Sequence, residues 1–412
     1  MKIHNRPYNI IVFGATGFTG KLVVEYLIEH YGVYNELFTW AIAGRNENKI
    51  KKVIETLAAK NDQVKKIKFF IADSFDEESL DQISKSAKLI ISTVGPYIKY
   101  GKNLVSHCAN NGTHYCDLTG EVPFIRESID AYDKVAKKNE CKIIHSCGFD
   151  SIPSDLGVLF LQSEAKKKYD RFCSDIKYYV LETKGGFSGG TIASMIAISN
   201  YIKSKPNLSG LLGNSYALNS DKYKGPSALS LRSVVWDQNV RLWTAPFIMS
   251  GINTRVVRRS NELLDFRYGK EFIYSEVTSF QKGIMGYLKS YSMLIFLGLT
   301  KFLISFKPTF WLLKNFYLPN PGEGPNRDKR DNGFFKILLN GYVNGNHISC
   351  TVTGDKDPGY SGTAIMLTES ALSIILNNEE IPTRFGVLTP ASGIGETLIK
   401  RLKTKGIIFK VN

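Results

Sequence analysis

The chain has 412 residues, a formal net charge of +15, and a composition that is 43% hydrophobic and 22% charged. This composition excludes an intrinsically disordered chain, and the length exceeds what one ordinary core holds, so we expect two domains. The positive charge favours anionic partners such as nucleotide phosphates, acidic lipid headgroups or nucleic acid. No nucleic-acid recognition motif accompanies it, so we expect no nucleic-acid partner.

The six cysteines occur at scattered spacings, without a C-x-x-C pair or a cluster of histidines. This pattern is typical of reduced thiols and predicts neither a disulfide framework nor a metal site. The stretch "MKIHNRPYNIIVFGATG" leads directly into a glycine-rich turn without a small-residue cleavage site. We therefore expect a protein that is not secreted.

Strand and helix signals alternate over residues 1–150. The short apolar runs "YNIIVF", "FTWAIA", "IKFFIA", "KLIIST" and "CKIIHS" have the length and β-branched content of buried parallel strands. Amphipathic stretches such as "KLVVEYLIEHY" separate them. Repeated βα units predict an α/β domain with a doubly wound parallel sheet, in which ligands bind at the carboxyl ends of the strands.

The glycine-rich stretch "GATGFTG" lies between the first strand and the first helix. Glycines at this junction let backbone N–H groups and a helix N-terminus approach a pyrophosphate, because a β-carbon would block the contact. The pattern predicts a dinucleotide site, with a tight structural turn as the alternative. The predicted cofactor contacts here are Gly14, Thr16, Gly17, Phe18, Thr19 and Gly20.

The second strand ends in Ala43-Gly44-Arg45-Asn46. A NAD site usually has a carboxylate here that binds the ribose 2′-hydroxyl, and this sequence has none. Arg45 can instead form charge-assisted hydrogen bonds with a 2′-phosphate. The predicted cofactor is NADP, with NAD as the alternative, and a merely exposed Arg45 is the structural alternative.

Two further strand ends face the same crevice. Asp73 follows "IKFFIA" and could accept from the adenine amino group, although "DSFDEES" also resembles a helix start with an aspartate cap. The stretch "STVGPY" ends the fourth strand with small residues that would allow the backbone to pass beside the nicotinamide ribose. A Gly-Pro turn without a ligand is the alternative. The predicted contacts in this stretch are Thr93, Gly95, Pro96 and Tyr97.

The pattern changes after residue 150. "SDIKYYVLET", "EFIYSEVTSF", "FFKILLNGYV" and "HISCTVTGD" resemble strands of a more antiparallel sheet, with helices near 190–203 and 361–377. We expect a second, α+β domain over 151–360. In "GGFSGGTIASM", Thr191 and Ser194 lie at the predicted start of a helix. This stretch is either an anion or substrate site, or a flexible turn followed by a helix cap.

A hydrophobic segment at 284–317 stands out in the second domain. Eleven uncharged residues separate Lys289 from Lys301, about 16 Å of helix, whereas a membrane span needs about 20 apolar residues. Five lysines and no acid lie between Glu276 and Glu323, with aromatic residues nearby. This predicts an interfacial segment that contacts lipid, with a core helix pair or a dimer face as alternatives.

Several of these motifs together resemble the saccharopine dehydrogenase-like oxidoreductase family. They include "GATGFTGKLVVEYL", "AIAGRN", "STVGPYIKYGKNLVSHCANNGTHYCDLTGE" and "CGFDSIPSDLG", and "VLTPASGIGETLIKRLKTKGIIF" extends the similarity to the C-terminal region. The resemblance implies a Rossmann domain at 1–150, a second domain that supplies the substrate face, and a segment at 361–412 that folds back against the nucleotide domain. The chain looks closer to a lipid-associated branch than to true saccharopine reductases of lysine metabolism. That branch includes a trans-acting enoyl reductase of glycolipid synthesis and animal proteins associated with lipid droplets and mitochondria.

Candidate catalytic residues follow the fifth and sixth strands. Glu121 in "HYCDLTGE", and Asp150 and Ser151 in "CGFDSIPSD", would lie in the crevice, although such residues also start helices. The only Tyr-x-x-x-Lys spacing, Tyr201 to Lys205, lies outside the alternating region, so we do not expect it to donate a proton. We expect His145 in the core. The arginines at 232, 241, 255, 258 and 259 could bind an acidic substrate, but we expect them on a solvated surface.

These features predict an NADP-dependent oxidoreductase that acts on a lipid or glycolipid precursor. We expect it at a membrane or lipid-droplet surface facing the cytosol, bound through residues 284–317, with the mitochondrion as an alternative location. The open alternatives are a soluble saccharopine-type amino-acid reductase and a non-catalytic NADP-binding scaffold or sensor. The sequence also leaves open whether the protein forms a homodimer.

Overall fold

The computed structural model describes residues 5–185, 189–205, 209–223, 225–226, 231–305, 309 and 324–412. The strands are β1 (Tyr8–Phe13), β2 (Trp40–Gly44), β3 (Phe69–Ile71), β4 (Ala87–Ser92), β5 (His114–Asp117), β6 (Lys142–Ile144), β7 (Asp175–Lys184), β8 (Val235–Asp237), β9 (Leu242–Pro246), β10 (Ile273–Phe280), β11 (Phe334–Val343), β12 (Asn346–Gly354), β13 (Gly386–Leu388) and β14 (Ile407–Val411).

The helices alternate with these strands in the first part of the chain and are less regular afterwards. They are α1 (Phe18–Tyr31), α2 (Glu47–Ala58), α3 (Glu77–Ser86), α4 (Tyr97–Tyr100), α5 (Lys102–Asn111), α6 (Val122–Lys138), α7 (Ile152–Tyr169), α8 (Gly189–Ser204), α9 (Ser209–Gly213), α10 (Ser250–Leu263), α11 (Ile284–Ser305), α12 (Arg327–Asp331), α13 (Thr363–Leu376), α14 (Pro390–Gly393) and α15 (Glu396–Lys403). A 3-10 turn at Asp62–Lys66 and a π-helical turn at Pro358–Gly362 complete the described elements.

The first sheet is entirely parallel, with the strand order β13-β6-β5-β4-β1-β2-β3. The interior strand β1 buries Ile10, Ile11 and Val12 completely, as expected of a strand covered by helices on both faces. The chain builds outward through β2 and β3 and then crosses to β4 on the other side of β1. This confirms the predicted Rossmann sheet, and the crossing creates the crevice where such sheets bind ligands.

The second sheet has the order β14-β12-β11-β7-β10-β9-β8. Only the pairing of β7 with β10 is parallel among the described strand pairs of this sheet. The predicted second domain with a mostly antiparallel sheet is therefore confirmed.

The C-terminal segment contributes to both sheets. β13 extends the parallel sheet beside β6, and β14 pairs with β12 in the second sheet. Its helices α13 and α15 carry Glu369 and Arg401, which form a buried ion pair at 2.7 Å. The hydroxyl groups of Tyr26 and Tyr31 on α1 donate to the same carboxylate, each at 2.7 Å. The segment is thereby fastened to the nucleotide domain while it also completes the second sheet.

Three of the five arginines expected at the surface are buried, so that prediction was wrong for them. Arg255, Arg258 and Arg259 on α10 are at most 9% exposed, whereas Arg232 and Arg241 are exposed as predicted. The buried guanidinium groups donate to backbone carbonyls of residues 212–218. Buried arginines are tolerated here because carbonyl oxygens replace the lost water.

The hydrophobic segment forms α11 over residues 284–305. The helix packs beside β9 and β10 and buries Gly286 and Ser290, while Ile284 is 78% and Phe302 is 64% exposed. This exposure contradicts the alternative of a core helix for the described part. No helix among the described residues is long and apolar enough to cross a membrane. Residues 306–308 and 310–317 of the predicted segment lie outside the described residues.

The ion pair between Glu369 and Arg401 predicts a stability effect. Arg401→Met should lower the free energy of unfolding by about 3 kcal/mol, because it leaves a fully buried carboxylate without its cation. Lys167→Met, which removes a solvent-exposed pair with Glu164, should change it by less than about 1 kcal/mol. Urea denaturation measures both. Equal losses for the two variants would contradict the importance of this ion pair.

Candidate functional site

A cavity of about 1120 Å³ opens where the carboxyl ends of β1 and β4 separate. The glycine loop after β1 lines one end of it, and apolar side chains from α8, α9 and α10 line the other end. Both domains therefore contribute to one site, as expected when a substrate-binding domain lies over a nucleotide crevice.

The glycine loop has the geometry of a phosphate cradle. Gly14 has a φ of +92°, and a β-carbon there would lie 2.7 Å from the Thr93 Oγ1 atom, so only glycine fits. Gly17 is the N-cap of α1, and no side chain caps the helix. The first N–H groups of α1 are therefore available to a pyrophosphate.

All but one of the predicted cofactor residues line this cavity; the exception is Gly20. A β-carbon at Gly20 would overlap the carbonyl oxygen of Gly14. The third glycine of the motif therefore lets α1 pack closely against the end of β1 and does not form the cavity wall. This corrects the prediction that Gly20 contacts the cofactor directly.

The cavity wall after β2 carries two cations and no acid. Gly44, Arg45, Asn46 and Lys49 line it, and Arg45 is exposed. The Asn46 side chain caps α2 by accepting from the Lys49 N–H at 2.9 Å, which fixes Lys49 in the first turn of the helix. Such a pair of cations suits the 2′-phosphate of NADP. Sequence reasoning missed Lys49, which lies in the first turn of α2, four residues after Arg45.

The next two strand ends combine structural contacts with a position on the cavity wall. The Asp73 Oδ1 atom accepts from the Phe75 N–H at 2.9 Å, so this aspartate forms a turn and lines the cavity as well. The Thr93 hydroxyl donates to the carbonyls of Phe13 and Gly14, each at 3.2 Å. Thr93 thereby joins the ends of β1 and β4 beside the glycine loop.

Glu121 supports the wall around Gly95 and Tyr97. Its Oε1 atom accepts from the Tyr97 N–H at 2.9 Å and from the Ser194 hydroxyl at 2.6 Å, and its Oε2 atom accepts from the Ile98 N–H at 2.8 Å. Burial raises the pKa of Glu121. These contacts cap α4 and join it to α8. A catalytic role for Glu121 stays a prediction. Thr191, which the sequence analysis considered together with Ser194, has its side chain outside the described residues.

Asp150 differs from the other acids of the site. It is half-buried on the cavity wall, and the described residues offer its carboxylate no hydrogen-bond partner. Burial raises the pKa of Asp150 to about 6. Ser151 is fully buried, does not line the cavity, and donates to the Asn253 Oδ1 atom at 3.1 Å. Among the acids that line the cavity, Asp150 is therefore the one whose carboxylate accepts no hydrogen bond from the described residues.

Two other residue sets lie away from the cavity, as predicted. Lys205 donates to the Tyr201 hydroxyl at 2.7 Å, but neither residue lines the cavity. The buried His145 bridges Asp117 and Ser128 at 2.8 and 2.9 Å. No three His, Cys, Asp or Glu side chains group as a metal site would require in the described part of the chain.

Comparison with known proteins agrees with this geometry. Residues 10–144 match the family described as saccharopine dehydrogenase NADP binding domain. A Mycobacterium tuberculosis protein provisionally named a trans-acting enoyl reductase is 36% identical over 98% of this chain and 97% of its own length. The trans-acting enoyl reductase of Mycobacterium ulcerans is 31% identical over 99% of this chain and 98% of its own length. The chain belongs to the saccharopine dehydrogenase-like oxidoreductase family.

This family membership makes the chain an NADP-binding oxidoreductase, as predicted. The chain is also similar to the solved structure of apo saccharopine dehydrogenase (L-Glu forming) from Saccharomyces cerevisiae. The similarity covers 98% of this chain and 99% of the saccharopine dehydrogenase chain. The two share 16% sequence identity with a TM-score of 0.52, which shows a common fold. The cradle at Gly14 and Gly17, together with Arg45 and Lys49, fits the phosphates of NADP.

The cations after β2 predict a preference between cofactors. Arg45→Ala and Lys49→Ala should each weaken NADPH binding by about tenfold or more, because each removes a charge-assisted contact with the 2′-phosphate. NADH, which lacks that phosphate, should bind both variants as it binds the wild type. Lys52→Ala, on the same helix but away from the cavity, is the control. Calorimetric titration measures the affinities, and equal wild-type affinities for NADPH and NADH would contradict the assignment.

Proposed function

We propose that this protein reduces an activated carbon–carbon double bond in a lipid or glycolipid precursor, using NADPH. The observation that carries the proposal is the composition of the cavity beyond the glycine loop. An apolar chamber there holds a single acid without a hydrogen-bond partner among the described residues, Asp150. Relatives that match over the full length are named trans-acting enoyl reductases, which supports the same reaction class.

The outer part of the cavity suits an alkyl or acyl chain. The apolar side chains that line it are Leu118, Val122, Ala193, Ile198, Leu212, Ile248, Met249 and Ile252. Among the described residues that line this part of the cavity, Arg255 is the only positively charged one. A saccharopine-type amino acid carries several carboxylates and an ammonium group, so it would require more charged partners than this wall offers. The composition thus favours a lipid substrate over an amino acid.

The residues of the cavity can support both halves of such a reduction. NADPH, when bound, supplies a hydride to the β-carbon of the double bond. Asp150 would hold a proton and release it to the neighbouring α-carbon, so that the double bond becomes a single bond and the carboxylate takes a new proton from water. Glu121 keeps α4 and the backbone at Gly95 in place, and the apolar walls exclude water from the reacting atoms.

The role of Asp150 predicts a pH profile. Because the protonated form is the donor and its pKa is about 6, kcat/KM should fall about tenfold for each pH unit above roughly 6. Asp150→Asn should lower kcat by about 10²- to 10⁴-fold and leave NADPH binding unchanged. NADPH oxidation with medium-chain enoyl thioesters measures both effects.

A matched control is available in the same segment. Asp155 is also buried, but it lies off the cavity, where it accepts from the Ala391 N–H at 2.8 Å and from Ser260. Asp155→Asn should lower the unfolding temperature and leave the pH profile of the remaining activity unchanged. If Asp150→Asn retains full activity with the same pH profile, Asp150 is not the proton donor.

We further propose that α11 attaches the enzyme to a lipid surface, either a membrane or a lipid droplet facing the cytosol. The helix exposes large apolar side chains that include Ile284, Ile295, Phe296, Leu299 and Phe302. Residues 277–305 contain three lysines and no acid, which suits anionic headgroups.

An aromatic cluster extends this surface from α11 to the β8–β9 hairpin. The rings of Trp236 and Trp243 are 5.3 Å apart, Trp243 and Tyr287 are 4.9 Å apart, and Tyr287 and Tyr291 are 4.7 Å apart. Tryptophan and tyrosine favour the boundary between headgroups and acyl chains. The cluster would set the depth at which α11 rests in a lipid surface.

Exposed residues of α11 should therefore control vesicle binding. The double variant Ile295→Ser/Leu299→Ser should reduce the partition coefficient onto phosphatidylserine-containing vesicles about tenfold or more, because it removes apolar area that lipid would bury. Tyr34→Ser/Leu37→Ser removes side chains of comparable exposure, 63% and 65%, from the nucleotide domain and is the control. Co-sedimentation measures the bound fraction, and an equal effect of the two double variants would contradict the assignment.

A further inference from the structure

Arg255 is a buried cation on the wall of the substrate end of the cavity. It is 9% exposed, and it lies on α10 one turn after Gly251 and Ile252, which line the same wall. Burial, and to a smaller extent the neighbouring Arg258, lower the pKa of Arg255 to about 10, so the guanidinium stays charged at neutral pH. The apolar wall is thus interrupted by one positive charge.

The bonds of Arg255 hold the guanidinium without neutralising it. Its Nε atom donates to the Asn214 carbonyl at 2.9 Å, Nη2 donates to the Leu212 carbonyl at 2.6 Å, and Nη1 donates to the Gly251 carbonyl. These bonds use three of the five N–H donors of an arginine, so two remain. No carboxylate among the described residues forms an ion pair with Arg255.

The neighbouring Arg259 shows that such an arrangement can be purely structural. Arg259 is 5% exposed, donates to the carbonyls of Leu218 and Val387, each at 2.6 Å, and does not line the cavity. Arg255 likewise donates to backbone carbonyls, but to different ones, and it lines the cavity. Leaving a charge uncompensated at an otherwise apolar wall is costly unless an anion neutralises it.

We propose that Arg255 binds an anionic oxygen of the substrate, either a carboxylate or a phosphate, and thereby sets how far the apolar chain extends toward Asp150. This inference rests on the proposed lipid reductase function and deepens it, because it makes the substrate an amphiphile with one acidic group. The guanidinium is already oriented by its three carbonyl partners, so little side-chain entropy is lost when an anion binds.

The experiment uses saturated eight-carbon probes that cannot be reduced, so that binding is separated from catalysis. Octanoate, octyl phosphate and 1-octanol are titrated into the full-length wild-type protein by calorimetry. We expect at least one of the two anions to bind about tenfold or more tightly than 1-octanol, and salt to reduce this difference. Tighter binding of octanoate assigns a carboxylate, and tighter binding of octyl phosphate assigns a phosphate. Equal affinities for all three probes would overturn the proposal.

Two substitutions of Arg255, with one control at Arg259, test whether Arg255 causes the preference for anions. Arg255→Gln should abolish the preference for anions, whereas Arg255→Lys, which keeps the charge but loses the fork of donors, should retain part of it. Arg259→Gln removes a buried arginine from the same helix and should keep the preference, so it controls for general loss of packing. An unchanged preference in folded Arg255→Gln would also overturn the proposal. If Arg255→Gln does not fold, the comparison of probes on the wild type decides.

Failure of this inference can be told apart from failure of the proposed function. The octyl probes report anion binding whether or not the protein reduces any double bond. NADPH oxidation with enoyl thioesters reports the reaction without depending on a free acidic group. Absence of anion selectivity with intact NADPH oxidation rejects only the role of Arg255.

Discussion

The close packing of α1 against the end of β1 is the contact on which the rest of the site depends. Glycine is required at residue 20 because any side chain would overlap the Gly14 carbonyl, and at residue 14 because φ is positive and Thr93 is adjacent. This packing brings the first N–H groups of α1 to the crevice between β1 and β4. The phosphate cradle, the cations Arg45 and Lys49 after β2, and the wall at Gly95 are all positioned relative to it.

Buried acids in this molecule have different functions, and their hydrogen-bond partners distinguish them. Glu369 fastens the C-terminal segment to α1, Asp155 joins α7 to α10 and α14, and Glu121 caps α4. Each of these carboxylates accepts several hydrogen bonds that join separate elements of the fold. Asp150 has none from the described residues and faces the cavity. Partner count, more than burial, is therefore the basis on which we propose Asp150 as the proton donor.

Local patterns in the sequence were sufficient for the nucleotide domain. The apolar runs and the glycine loop predicted the parallel sheet and its cofactor crevice, because both depend on residues close together in the chain. Arg255 and its neighbours were misjudged because an arginine in a sequence is usually exposed, and their carbonyl partners lie about 40 residues away. The division of the C-terminal segment between two sheets, and the aromatic cluster of Trp236 and Trp243 with α11, likewise depend on long-range pairing that no local pattern encodes.

The reaction that we propose is hydride transfer from NADPH to a conjugated double bond in a lipid-type substrate. The most direct measurement supplies NADPH deuterated at the transferable position together with a medium-chain enoyl thioester, and locates the deuterium by mass spectrometry. We expect one deuterium at the β-carbon of the saturated product and hydrogen from solvent at the α-carbon. Tight NADPH binding without deuterium transfer to any enoyl substrate would contradict it and would favour a nucleotide-binding scaffold or sensor.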